Sequence, residues 1–279
     1  MSRDTQLRLD RPLTSPPPSR GITISPNIPP RTLGLLGLYL LGLALAEVVT
    51  AFLHPQAGLA IHGALLVVLF LHAALWASGP LQKLLYCLAL APLIRLLSLS
   101  MPLAQLQPAY WYAIIGLPLF LASLLALRLT GYTLAEVGLS LGRSLPLQAL
   151  TALSGLGLGY LEYLILHPAP LVGTFTLRSI WLPALILLIF TGLLEELIFR
   201  GLLQRASHVL LGSPGLVYVS LAFAVLHIGY SSLPDFAFVF AVGLLFSLIA
   251  GRSRSILGVT LAHGLTNISL FLVFPFMLK

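Results

Sequence analysis

Apolar residues fill most of this chain in blocks of about 20, the length that crosses a hydrocarbon layer as a helix. The blocks do not alternate apolar and polar positions, so they read as helices rather than strands. They predict nine spans, at roughly 33–53, 59–77, 81–100, 109–130, 145–166, 179–206, 214–232, 234–252 and 255–277. Turn and helix-stop signals separate them: His54-Pro55, Gly79-Pro80, Gln107-Pro108, Pro168-Ala169-Pro170, Ser213-Pro214, Pro234 and Arg252-Ser253-Arg254. Residues 131–144 mix polar and apolar positions around Glu136 and Arg143, and predict a short amphipathic helix, or else a loop, lying at a membrane interface. Residues 1–32 are basic, polar and Pro-rich. They are expected to be a disordered cytoplasmic tail, and they do not read as a signal peptide. No internal repeat is visible. The organisation is thus a tail, N-terminal transmembrane helices at 33–130 and a C-terminal helical core at 131–279.

Composition turns this pattern into a fold class. Hydrophobic residues make up 58% of the 279, charged residues 8%, and the mean hydropathy is +1.00, against about 25% charged in a soluble domain. Backbone groups in lipid must be satisfied internally. The chain therefore reads as an all-α, polytopic transmembrane helical bundle of about eight to nine spans. The net charge of +7 follows its topology. With nine spans and a cytoplasmic N-terminus, Arg3, Arg8, Arg11, Arg20, Arg31, Lys83, Arg128, Arg143, Arg200, Arg205, Arg252 and Arg254 fall inside, while only Arg178 and Lys279 fall outside. The lipid bilayer accounts for the cations, and no nucleic-acid partner is called for. The single cysteine, Cys87, excludes an intramolecular disulfide and a thiolate zinc cluster, and reads as a small buried hydrophobe. An integral protein of a prokaryotic plasma membrane is expected.

Within these spans most polar residues have structural explanations. Glu47 and Glu162 read as hydrogen-bonding or packing acids, His62 and His72 as interhelical donors, and Arg95 as a snorkelling cation or a partner for Glu47. His54, His167 and His208 fall at loops. Glu195 and Glu196 stand apart, because an ionised carboxylate at the centre of a span costs at least ~2.5–3.5 kcal/mol. Arg200 follows Glu196 by one helical turn, in the favoured order for an i,i+4 pair. Glu195 points elsewhere and has no cation at helical spacing, so it is the acid left free to react. His263 and Asn267 share a helix face, as do Phe223 and His227. Three helices can therefore aim Glu195, His227 and the His263–Asn267 pair into one cavity. Burial makes a carboxylate a better base. A histidine can hold water, and imidazole and amide donors suit a developing oxyanion. No serine or cysteine nucleophile is evident. This set suits water-mediated acyl hydrolysis. The same residues also fit a proton relay in a coupled transporter, or a scaffold or immunity-type protein without proteolysis.

The stretch EELIFRGLLQ resembles the EExxxR motif of the CPBP family of intramembrane proteases, which includes type II CAAX prenyl endopeptidases and Abi-type proteins. LAFAVLH, ending at His227, resembles its FxxxH motif, and LAHGLTN resembles HxxxN at His263 and Asn267. The resemblance covers roughly 131–277 and departs from the motifs nowhere. It implies an endopeptidase acting on a membrane-associated peptide or lipidated-protein substrate, with a prenylated C-terminus as one candidate. Glu195 would activate water and His227 would bind it. His263 and Asn267 would stabilise the oxyanion, and Glu196, Arg200 and Phe223 would support the site. A zinc ion, if used, would sit on Glu195, His227 and His263. That set would consume the unpaired acid and HExxH spacing is absent, so no cofactor is favoured and metal-free hydrolysis is the preferred reading. Glu195 lies just before Arg200 and His263 about 12 Å from Ser255, which predicts a cavity in the cytoplasmic half, open to the cytosol. His227, about 20 Å from Pro214, falls deeper than this picture requires.

Overall fold

A computed structural model describes residues 28–278. The expected disorder of the tail therefore falls outside the described residues, apart from its last few positions, where Pro30 already opens a helix. Among the described residues, eight helices are long and apolar enough to cross a membrane. They are α1 (Pro30–Leu53), α2 (Pro55–Leu75), α3 (Gly79–Ser100), α4 (Pro108–Thr130), α5 (Leu145–Leu166), α6 (Leu177–Leu211), α8 (Leu233–Ser253) and α9 (Leu257–Met277). Between α6 and α8 lies a shorter helix, α7 (Pro214–Val225). Most start on Pro in the first turn, where the missing N–H would have had no partner. Outward leucines such as Leu41, Leu121 and Leu150 are exposed on their helices, as a lipid-facing surface requires.

Two details differ from the sequence reading, and a third settles an alternative it left open. The seventh span is a short helix that stops at Val225, and a single 3-10 turn at Ile228–Tyr230 completes it. α3 is interrupted at Ala89, because Pro92 has no N–H to bond the carbonyl of Leu88. Of the two alternatives for segment 131–144, the structure takes the loop: it is a string of turns rather than an amphipathic helix. Gly131, Gly138 and Gly142 take positive φ of 68°, 77° and 69°, which breaks any helical run. The segment is pinned on the α8–α9 turn. Arg143 N donates to Ser253 O (2.8 Å), Ile256 N to Gly138 O (2.9 Å) and Ser255 Oγ to Ser140 O (2.6 Å).

α9 sits at the centre, gripped by glycines. A Cβ on Gly155 of α5 would stand 2.2 Å from the carbonyl oxygen of Ala262, and one on Gly192 of α6 would stand 2.8 Å from that of Thr260. Small residues let helix backbones approach closely where no hydrophobic effect drives association. These contacts fix the helix that carries His263 and Asn267 between the two that flank it.

Candidate active site

α6 is not a regular helix around its glutamates. Leu188–Leu193 and Leu197–Leu203 are π-helical, and the single α turn between them is Leu194–Glu196. Such wide turns concentrate at functional sites. α6 ends sixteen residues beyond Glu195, and α7 begins thirteen before His227. At 1.5 Å per residue, both lie about 20–24 Å from the turn that joins the helices. Glu195 and His227 thus match in depth, because the sixth span runs on to Leu211 rather than ending at 206, while His263 stays about 9 Å from the start of α9.

A cavity of about 90 Å³ brings together Glu195, Glu196, Phe223, His227, His263 and Asn267. Arg200 does not line it. The side chain of Glu195 is 30% exposed, whereas Glu196 and Arg200 are fully enclosed. Glu196 Oε1 accepts two hydrogen bonds, from Arg200 Nη1 (2.9 Å) and from His263 Nδ1 (2.9 Å). That leaves His263 Nε2 facing Glu195 Oε2 at 3.9 Å, too far for a direct hydrogen bond. His227 Nδ1 lies 2.9 Å from the carbonyl of Phe223. A carbonyl can only accept, so Nδ1 carries the proton and a neutral His227 presents a lone pair at Nε2. Asn267 Nδ2 donates to Thr191 Oγ1 (2.9 Å), which fixes the amide. Phe223 packs at the middle: its ring is 4.8 Å from that of His227 and 6.0 Å from that of His263, and the Arg200 guanidinium lies 4.3 Å over its face.

The zinc set does not fit this geometry. Among the described residues no three His, Cys, Asp or Glu side chains converge on a metal position. No step is therefore derived through a metal.

Sequence reasoning missed several wall residues. Glu162, read as structural, lines the cavity, as do Tyr112, Thr191 and Tyr230. None belongs to a motif, and only folding brings α4 and α5 alongside α6. Tyr112, Glu162, Tyr230 and Phe271 come from the helix ends remote from segment 131–144 and the α8–α9 turn, whereas Phe246 and His263 come from the parts of α8 and α9 nearer that turn, so the cavity sits at middle depth in the bundle. Arg200 suggested an interface to the sequence reading, but it is buried in an ion pair and marks no surface.

The N-terminal helices reach the site through Arg95. Its Nε and Nη2 bond both oxygens of Glu47 (2.6 and 2.7 Å), and Nη2 also donates to the carbonyl of Leu226 (2.5 Å), the residue before His227. The expected Glu47 pairing thus also caps the broken end of α7. His72 Nδ1 meets Tyr39 OH across α1 and α2 at 2.6 Å. His62, expected as an interhelical donor, lies 3.4 Å from Glu47 but makes no hydrogen bond among the described residues.

The fold and this cavity define a class: a membrane helix bundle with acid, imidazole and amide groups converging inside it. Residues 177–269 match the family model described as type II CAAX prenyl endopeptidase Rce1-like. That match covers α6 to most of α9, and this segment is similar to that family. No curated protein and no solved structure matches the chain.

Proposed function

We propose that this chain is an intramembrane endopeptidase that hydrolyses membrane-associated substrates with water activated at Glu195. The observation that carries this reading is the convergence of Glu195, His227, His263 and Asn267 on one cavity inside the segment matched by the protease family. Water held between Glu195 and the lone pair of His227 Nε2 loses a proton to Glu195, and its oxygen attacks the scissile carbonyl. The carbonyl oxygen becomes an oxyanion. Asn267 Nδ2 has one hydrogen not used by Thr191 and can donate it. His263 can donate from Nε2 only as an imidazolium, because Glu196 already holds Nδ1–H. The proton on Glu195 then passes to the leaving amine as the C–N bond breaks. Glu196 and Arg200 orient His263, and Phe223 excludes water from their contact. A 90 Å³ cavity has room for water but falls short of the roughly 300 Å³ of a ligand pocket. A peptide therefore enters only if neighbouring helices part.

The family description supports a prenylated C-terminal peptide as the first substrate to try. The test is purified full-length protein incubated with lipidated and transmembrane peptides. Cleavage of at least one is expected, with the loss of at least about 100-fold in rate in Glu195→Ala that removal of a general base brings, while the helical content stays unchanged. Cleavage that survives Glu195→Ala overturns the mechanism. Proton-coupled flux in liposomes, with no peptide cleaved, would assign the same groups to a transporter.

A further inference from the structure

A second, larger cavity of about 990 Å³ opens on the face formed by segment 131–144, the end of α6 and the α8–α9 turn. Its walls carry Arg143, Arg200, Arg205, Arg252 and Arg254, and Glu136 is its single acid. Glu136 is spent on Arg205, at 2.9 Å. Arg143, Arg252 and Arg254 form no ion pair among the described residues. The Arg200 side chain is fully enclosed behind this wall, and its Nε and Nη2 have no hydrogen-bond partner among the described residues. Topology asks only that cations gather on one face of a membrane protein. It does not ask them to surround a concavity. The wall also bears Leu141, 70% exposed, beside Leu216 and Leu248. Arginine forks above an apolar lining match a phosphate group with an attached chain.

We propose that this basic vestibule is a binding site for a phosphate group, the headgroup of an anionic phospholipid being the source its apolar wall favours. The site stands independently of proteolysis, and it adjoins the catalytic cavity at the buried Glu196–Arg200 pair, Glu196 lining one space and Arg200 the other.

The experiment uses the full-length protein in nanodiscs of phosphatidylcholine, with or without phosphatidylglycerol. Lipid retained after extraction is counted by native mass spectrometry, and a parallel arm replaces phosphatidylglycerol with inorganic phosphate and reads thermal melting. Wild-type protein is expected to retain phosphatidylglycerol selectively. Retention should fall by roughly fivefold for each arginine removed in Arg143→Gln, Arg252→Gln and Arg254→Gln, singly and combined, from about 1 kcal/mol per basic residue at an anionic surface. The single variants keep the test decisive if the triple variant does not fold. Lys83→Gln with Arg128→Gln, on the same face but outside the cavity, should retain the lipid. Stabilisation by inorganic phosphate alone, lost in the arginine variants, assigns the phosphate to solution rather than lipid. Equal retention of both lipids with no effect of phosphate, or equal loss in the Lys83/Arg128 variant, overturns the site.

Discussion

At the scale of single residues, Glu196 carries more than its spacing shows. Its i,i+4 pairing with Arg200 is readable from the sequence, but its bond to His263 exists only once α9 packs on α6. One carboxylate oxygen holds a cation that never reaches solvent and fixes the tautomer of a site histidine. Removing one partner of a buried pair costs about 3–5 kcal/mol, whereas replacing both with apolar groups of similar size is often neutral. Glu196→Ala is therefore expected to lower the melting temperature sharply, because Arg200 is left charged and unpaired. Glu196→Leu with Arg200→Met should recover most of that stability. Cleavage should stay low in both, since neither holds His263 Nδ1. Thermal melting beside a peptide-cleavage assay separates the two effects, and full activity in the double variant would show that Glu196 serves stability alone. Glu195 was legible for the opposite reason: it lacks a cation at helical spacing. Its 3.9 Å relation to His263 Nε2 was not, because distance between helices leaves no trace in the order of residues.

At the scale of elements, the geometry of the candidate site depends on how closely α9 is approached. Gly155 and Gly157 are two residues apart on α5, so they face different sides. A methyl on Gly155 would meet the Ala262 carbonyl at 2.2 Å, and one on Gly157 meets nothing within 4 Å. Gly157→Ala is expected to leave stability unchanged or raise it by about 0.5–1 kcal/mol through lower chain entropy. Gly155→Ala must push α5 from α9, and is expected to lower both melting temperature and cleavage. A circular-dichroism melt of the two variants checks this, and matching melts would show that the helices separate at no cost. The sequence showed which stretches are helical because apolar blocks of span length admit few alternatives. It did not show that α7 stops at Val225, since 214–232 is as apolar as a true span. The stop is visible only where Arg95 of α3 caps the Leu226 carbonyl. Segment 131–144 stayed open between helix and loop for a related reason. Its apolar and polar mixture suits an interfacial helix, yet three glycines at positive φ let it fold onto 253–256 instead.

At the scale of the whole molecule, α7 is too short to count as a span, yet it reverses the chain as a span would. Arg143, Arg205, Arg252 and Arg254 consequently share one face around the vestibule, and Lys83 joins them through Tyr132, whose ring it approaches at 4.8 Å. Arg178, at the start of α6, belongs to the other end. A positive face of this kind is expected to be cytoplasmic, which would turn the Tyr112, Glu162 and Tyr230 walls of the candidate active site toward the opposite leaflet. Cysteine labelling tests this directly, because the native Cys87 is 1% exposed and gives little background. Leu141 and Leu177 are 70% and 84% exposed at opposite ends of the bundle. In sealed right-side-out vesicles a membrane-impermeant maleimide is expected to label Leu177→Cys at once and Leu141→Cys only after permeabilisation. The reverse pattern would place the arginine vestibule outside, and with it any anionic headgroup the vestibule selects would have to come from the outer leaflet.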